Sequence, residues 1–191
     1  LGFDVVILAF CLMSNHSHFV LYGTRSECVR VAEEYKRRCS IRMRYSAGDV
    51  HAMKDVEVQL FHVGSAEYLE NVIAYVLRNP IAAGICMMPY HYMWSSMSLY
   101  VTGGKQYQGK SLNEMSERKR FRTIKSRAYL PDHYVVDELG MILPSCYVDV
   151  GSVEKIFRHP ARLMAAVSRK IEADVEVALG ISDSVTMSYD E

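Results

Sequence analysis

The strongest constraint on the fold is an apolar run near the start of the chain. Residues Val5 to Met13 are nine consecutive apolar positions, and the first three are β-branched. A run of this length favours a β-strand buried on both faces, and it is far shorter than the roughly 20 residues that span a bilayer. Ser14-Asn15 is a turn signal, and His16 to Tyr22 is typical of a second strand. The sequence therefore predicts a β-hairpin here.

Hydrophobic periodicity and capping signals predict the elements that follow the hairpin. Helices outnumber strands, and the hairpin strands are antiparallel, so the expected class is α+β. The predicted elements are a helix from about Glu27 to Tyr45 with Ser26 as its N-cap, a half-buried strand over residues 55–63, a helix that begins after Ser65 and ends with Pro80 and Gly84, and a last helix from near Pro160 to about Leu179.

Composition excludes several classes of protein. The 22 Lys and Arg residues equal the 22 Asp and Glu residues, so no overall charge indicates a nucleic-acid or membrane partner. The five cysteines are odd in number and form no Cys-x-x-Cys pair, which argues against a disulfide scaffold and a thiolate zinc site. Reduced cysteines and the lack of a secretory leader favour the cytoplasm, with no membrane contact.

Charge is nevertheless divided between two segments of the chain. Residues 101–127 hold eight Lys and Arg against two acids, whereas residues 128–191 hold five basic and eleven acidic side chains. We therefore expect three regions: a folded domain over residues 1–100, a linker and basic helix over 101–127, and a mostly helical C-terminal extension over 128–191.

The first motif that could do chemistry is His16-Ser17-His18. Residues i and i+2 of a strand point to the same face, so both imidazoles project together and can bind one divalent cation. A pair of exposed histidines beside a turn is the alternative interpretation.

The second motif lies on the helix after Ser65. The apolar stripe of this helix centres on the Leu69/Val76 direction, which leaves Tyr75 and Asn79 at the edge of the buried face, one turn apart. The Asn79 side-chain oxygen can share a ligand or ion there. A partly exposed tyrosine beside the core, followed by a helix-ending Asn-Pro pair, is the alternative.

Three motifs follow one another in a fixed order over about residues 4–100. They are Leu12-Met13-Ser14-Asn15-His16-Ser17-His18-Phe19-Val20-Leu21, Tyr75-x-x-x-Asn79-Pro80-Ile81-x-Ala83-Gly84, and Tyr92-Met93-Trp94-Ser95-Ser96 with Tyr100. This order resembles the single-tyrosine HUH transposases (insertion-sequence-200-like), above all the REP-associated tyrosine transposases. Residues 101–191 resemble the C-terminal extensions of some such proteins only loosely.

The resemblance implies a fold, a reaction and a set of site residues. The fold is a ferredoxin-like HUH domain, with an antiparallel sheet and helices on one face. The activity is DNA transposition by cleavage and rejoining of single-stranded DNA, with hairpin or repeat structures as the DNA partner. Tyr75 matches the nucleophile that forms a 5′-phosphotyrosine link. His16 and His18 match the two histidine ligands of Mg²⁺ or Mn²⁺, and Asn79 matches a third, amide ligand.

The chain departs from the family pattern at three points. Ser17 stands where a large apolar residue is usual, which we expect to weaken packing, and Ser14 replaces a proline. The family's central leading strand and first helix have no counterpart here. The expectation is an N-terminally truncated domain, a gap filled by a partner chain, or a degenerate domain. Both a tyrosine that serves its own site and one that serves a homodimer partner's site occur among similar proteins.

Basic side chains supply the expected DNA contacts, because single strands require phosphate neutralisation with occasional base stacking. A solvated helix face is the alternative. The candidates lie on the first long helix and in the basic segment, where Phe121 is interleaved: Arg37, Arg38, Arg42, Arg118, Lys119, Arg120, Arg122 and Lys125.

Two rival functions remain open at this point. One is a catalytically inactive or domesticated DNA-binding module of the same fold. The other is a metal-dependent hydrolase in which His16 and His18 activate water and Tyr75 plays no part; it is disfavoured because no carboxylate base lies near either motif in the sequence.

Overall fold

The computed structural model describes residues 2–47, 56–103, 108–125 and 129–169. The elements form in chain order an α+β fold, as the sequence predicts. They are β1 (Val5–Leu12), β2 (Ser17–Gly23), α1 (Arg25–Ala47), α2 (Ala66–Ala82), α3 (Met97–Thr102), β3 (Lys110–Ser111), α4 (Glu117–Ile124), β4 (Val135–Val136), α5 (Val150–Phe157) and α6 (Pro160–Ser168), with single 3₁₀ turns at Pro89–His91, Leu112–Glu114 and Pro144–Cys146.

The predicted hairpin is confirmed. Strands β1 and β2 pair antiparallel from Val5↔Gly23 to Leu12↔Ser17, with an irregularity between Ile7 and Ala9. A second antiparallel pair, β3 with β4, is only two residues long. Within the described ranges the sheet that carries the histidine motif therefore has two strands.

The free edge of β1 is closed by two later segments, which explains why its sequence is continuously apolar. The Leu12 N–H donates to the Trp94 carbonyl over 2.8 Å, and the Ser96 N–H donates to the Phe10 carbonyl over 3.0 Å. At the other end the Asp149 N–H donates to the Ile7 carbonyl over 2.9 Å. Strand β1 is thus central, and its residues 8–11 are buried.

The strand predicted over residues 55–63 is wrong for the part that the structure describes. Residues 56–63 are irregular, and Asp55 lies outside the described residues. Burial does alternate in part, since Val58 and Leu60 are half-buried, but Phe61 is exposed. Both sides of β1 already have partners, and no hydrogen bond joins the described segment 56–63 to β2, so the alternating pattern has no ladder to enter.

Helices α1 and α2 confirm the predicted positions with one change of cap. Helix α1 begins two residues early, because the Thr24 hydroxyl accepts from the Glu27 N–H over 3.3 Å in place of the predicted Ser26. Helix α2 begins after Ser65 as predicted, where the Ser65 hydroxyl accepts from the Tyr68 N–H over 3.1 Å. It continues past Pro80 to Ala82.

Residues 148–167, assigned to a C-terminal extension, pack into the main core. Helix α6 begins at Pro160 as predicted and ends at Ser168, and the predicted end near Leu179 lies outside the described residues. Helix α5 was not predicted. The buried core residues drawn from both ends of the chain are Leu8 to Cys11, Val20, Ile73, Ala74, Val76, Leu77, Met97, Leu99, Tyr100, Val148, Val153, Phe157, Leu163 and Val167.

A second, smaller core is built around Leu112, Met115 and Val136, with Ile124 of α4 packed against it. The basic helix α4 therefore belongs to this second cluster, whereas the two histidines and Tyr75 lie on elements of the main core. No helix in the described ranges is long and apolar enough to cross a membrane.

Candidate metal and nucleophile site

The hairpin turn places the two histidines side by side. The Met13 N–H donates to the His16 carbonyl over 2.8 Å, which closes the turn immediately before β2. Strand alternation then directs His16 and His18 to one face, and their ring centroids lie 4.7 Å apart at an interplanar angle of 72°. This is the shared projection that the sequence predicts.

Helix α2 brings Tyr75 and Asn79 to the same place. The Tyr75 ring meets the His18 ring edge-on, with 5.6 Å between centroids and an angle of 81°. One turn later, the Asn79 Oδ1 atom lies 3.3 Å from the His16 Nε2 atom, 63 positions away in sequence. The structure thus brings together all four residues proposed for the metal site and the nucleophile.

The Asn-Pro pair fixes the orientation of the Asn79 amide. Pro80 has no N–H to donate to the Val76 carbonyl, so the backbone there lacks its usual ladder bond. The Asn79 Nδ2 group donates to the Tyr75 carbonyl over 2.9 Å and approaches the Val76 carbonyl at 3.5 Å. With the amide nitrogen held by the helix backbone, Oδ1 is left to face His16.

The second ring nitrogen of His16 is also held in place. Its Nδ1 atom lies 2.7 Å from the Asn15 Oδ1 atom, which can only accept a hydrogen bond. We therefore assign the proton of neutral His16 to Nδ1. Its Nε2 atom then carries a lone pair, and that lone pair faces the lone pairs of the Asn79 oxygen.

This arrangement fits a divalent cation. Two atoms with opposed lone pairs gain from a shared positive centre, and ligands of one octahedral Mg²⁺ at about 2.1 Å lie about 3 Å from each other. The observed 3.3 Å between His16 Nε2 and Asn79 Oδ1 is close to that spacing. Imidazole and amide donors suit Mn²⁺ somewhat better than Mg²⁺.

His18 is held in the neutral form that metal ligation requires. Burial lowers its pKa from 6.5 to about 4, repulsion from His16 lowers it further, and the Asn79 amide acts in the opposite direction. At neutral pH the His18 ring therefore carries no charge, and one of its nitrogens has a lone pair available.

Carboxylates and thiolates do not complete the ligand set in the part of the chain that the structure describes. No group of three or more His, Cys, Asp and Glu side chains is arranged there to hold a metal ion. The candidate donors are two imidazoles and one amide, which leaves most positions of a six-coordinate ion to water or substrate oxygens.

Ser17 makes a specific contact instead of leaving a packing defect. Its hydroxyl lies 3.1 Å from the Tyr35 hydroxyl of α1, on the strand face opposite the histidines. The Tyr35 ring also packs edge-on against Phe19 at 5.0 Å. The expected weakening of packing is therefore wrong, because a hydrogen bond joins β2 to α1 at this position.

The DNA-binding candidates on α1 are exposed, and two of them share one acid. Glu34 binds Arg37 through two hydrogen bonds of 2.6 and 2.7 Å and Arg38 through one of 2.7 Å. Hydrogen bonds from these two guanidinium groups lower the pKa of Glu34 to about 2. Arg42, further along α1, is exposed.

On α4, four of the five basic candidates face solvent. Arg120 differs, because it donates to the Asp132 carboxylate over 2.6 Å and to the Met115 carbonyl over 3.2 Å. It holds α4 against its neighbours, whereas the exposed candidates are Arg118, Lys119, Arg122 and Lys125, with Phe121 also exposed.

Sequence reasoning missed two residues beside the site. Asn15 was assigned only to the turn, although its position directly before the first histidine was a usable signal for its contact with His16. Arg78 carried no signal, since nothing in its sequence context distinguishes it from a solvated helix residue. Comparisons with protein-family models, with curated proteins and with solved structures found no match for this chain.

Proposed function

We propose that this protein is a DNA transposase that cleaves and rejoins single-stranded DNA through a covalent link to Tyr75. The observation that carries the proposal is the convergence of Tyr75 and Asn79 from α2 on the His16/His18 pair of the hairpin. A ferredoxin-like HUH domain, with further strands beside the two-stranded sheet, is the fold that we propose for the complete domain.

The division of labour follows from the chemistry of each side chain. His16, His18 and Asn79 would hold Mg²⁺ or Mn²⁺ through two imidazole nitrogens and one amide oxygen. When bound, such an ion polarises a non-bridging phosphate oxygen, which makes the phosphorus more electrophilic. Asn15 and the Tyr75 carbonyl orient the ligands His16 and Asn79 respectively.

Tyr75 supplies the nucleophile. Its phenolic oxygen forms a bond to phosphorus, the bond from phosphorus to the 3′ oxygen breaks, and the phenolic proton ends on that 3′ oxygen. The products are a 5′-phosphotyrosine and a free 3′-hydroxyl, with the phosphate charge unchanged. Because the new bond is again a phosphodiester, attack by another 3′-hydroxyl rejoins the strand without ATP.

Single-stranded DNA with hairpin or repeat structure is the proposed partner. The exposed cations of α4 with Phe121 among them, together with Arg42 of α1, offer phosphate contacts and a surface for base stacking. A homodimer, which would allow Tyr75 to serve a partner's site, and a cytoplasmic location are part of the same proposal.

The experiment is a denaturing-gel assay for covalent adducts, with the protein, Mn²⁺ and labelled hairpin DNA from the flanks of its own gene. We expect a slower band that requires Mn²⁺ and disappears in Tyr75→Phe and in His16→Ala. Tyr68→Phe is the matched control, because Tyr68 lies two turns earlier on a similar face of α2, and its adduct should equal that of wild type. An adduct that persists in Tyr75→Phe would overturn the proposal.

The same assay separates the other candidates. The exposed basic helix α4 favours an inactive DNA-binding module as the second candidate, which would bind the DNA in a salt-sensitive way without any adduct. Metal-dependent hydrolysis that survives Tyr75→Phe would indicate a hydrolase built on His16 and His18.

A further inference from the structure

A guanidinium nitrogen beside Tyr75 has no hydrogen-bond acceptor. Arg78 lies on α2 and is half-buried, and its Nε atom is shielded from solvent without a partner. No ion pair or hydrogen bond to Arg78 occurs among the described residues. A charged donor that loses water without gaining an acceptor is costly, so this position favours an anion from outside the chain.

The acids of α2 do not neutralise Arg78. Glu70, two turns earlier, accepts two hydrogen bonds of 2.9 and 2.7 Å from Arg162 of α6. Glu67 lies in the first turn of α2 and is exposed. The positive charge of Arg78 is therefore uncompensated in the part of the chain that the structure describes.

Helix geometry places Arg78 against the nucleophile. At about 100° per residue, Asn79 is about 40° to one side of Tyr75 and Arg78 about 60° to the other. Residues three apart on a helix are surface neighbours. Tyr75 thus stands between the candidate metal ligand and the uncompensated guanidinium group.

We propose that Arg78 binds the non-bridging oxygens of the phosphodiester that Tyr75 attacks. The inference rests on the proposed function and names a further substrate-binding residue for it. A guanidinium group presents two parallel donors that match two phosphate oxygens. Negative charge on these oxygens is stabilised most when the donors are already in place, as a half-buried arginine on a helix is.

The first test uses a protein that cannot react. Tyr75→Phe is treated with phenylglyoxal, which modifies guanidinium groups, with and without a 20-nucleotide oligothymidylate, and each arginine is followed by peptide mass spectrometry. We expect the oligonucleotide to slow modification of Arg78 at least fivefold. Arg162, whose guanidinium is held by Glu70, is the internal control and should be unaffected. Equal modification of Arg78 in both conditions would overturn the proposal.

The second test measures adduct formation with the hairpin DNA and Mn²⁺. Arg78→Gln should slow it at least tenfold. Arg78→Lys, which keeps the charge but loses the two-donor fork, should slow it severalfold and serves if the glutamine variant does not fold. Arg162→Gln should react at the wild-type rate. Wild-type rates in Arg78→Gln, or in Arg78→Lys where the glutamine variant does not fold, would overturn the proposal.

The two tests separate failure of this inference from failure of the proposed function. Protection of Arg78 without any adduct in wild type would leave a phosphate-binding arginine in a protein that does not cleave DNA. A Tyr75-dependent adduct with an unprotected Arg78 would leave the transposase and remove Arg78 from its site.

Discussion

The Asn79 side-chain oxygen lies 3.3 Å from the His16 Nε2 atom, although the two residues are 63 positions apart in the chain. Each partner is fixed from behind: Asn15 faces the other His16 ring nitrogen, and the α2 backbone holds the Asn79 amide nitrogen. Two groups with opposed lone pairs, each oriented by a separate contact, are the arrangement that a metal ion resolves.

Replacing Asn79 by alanine should weaken Mn²⁺ binding by roughly 10- to 100-fold, because one of three protein ligands is lost. Isothermal titration of the variant with Mn²⁺ measures the change directly. Asn71→Ala removes an exposed amide from the same helix and is the matched control. Equal Mn²⁺ affinity in Asn79→Ala and Asn71→Ala would exclude Asn79 as a ligand.

Local rules are sufficient to predict the parts of the site but not their meeting. The pairing of His16 with His18 follows from the two-residue period of a strand, and that of Tyr75 with Asn79 follows from the pitch of a helix. That α2 packs its Tyr75 edge against the His18 face depends on the tertiary fold, which no local pattern encodes. The resemblance to a family supplied that step.

The errors along the chain have physical causes of the same kind. Alternation over residues 56–63 indicates half-burial, but a strand also needs a free neighbouring edge, and β1 has none. Helix α5 was missed because it has only eight residues and follows a loop-rich stretch. Its cap, Asp149, is the one local signal that marks its start.

The contact between Ser17 and Tyr35 should contribute about 1 kcal/mol to the free energy of unfolding, as a partly buried hydroxyl pair does. Ser17→Ala and Tyr35→Phe should each lower it by about that amount, measured by urea denaturation. Because each single change already removes the bond, the double variant should lose little more than either one. Fully additive losses would show that the two hydroxyls do not interact.

The carboxylate of Asp149 should make stability depend on acid pH. Its pKa lies below the ordinary value of 3.8, because the Ser152 hydroxyl donates to Asp149 Oδ2 over 2.6 Å and the Ser152 N–H donates to Oδ1 over 3.0 Å. A lowered folded-state pKa means a stabilising contribution that is complete above the unfolded-state pKa and is lost as pH falls through the folded-state pKa.

Asp149→Asn tests this, because an asparagine keeps the capping oxygen but does not titrate near this pH. The melting temperature of wild type minus that of the variant should be positive and constant from pH 7 down to about pH 5 and should shrink below about pH 4. A difference that stays constant at every pH would mean that the Asp149 charge adds nothing to the cap.

The basic residues of α4 should divide into two groups by their contacts. Lys119 and Arg122 are exposed, so replacing either by glutamine should weaken binding of a 20-nucleotide oligothymidylate without changing stability. If each residue neutralises one phosphate, the slope of log affinity against log salt should fall by about 0.7 for each. Arg120→Gln should instead lower the melting temperature and leave the slope unchanged, because Arg120 is held by Asp132 and the Met115 carbonyl. Fluorescence anisotropy over a salt series and a thermal melt of each variant measure both quantities. A slope that falls equally in Arg120→Gln and Arg122→Gln would show that the ion pair with Asp132 opens when DNA binds.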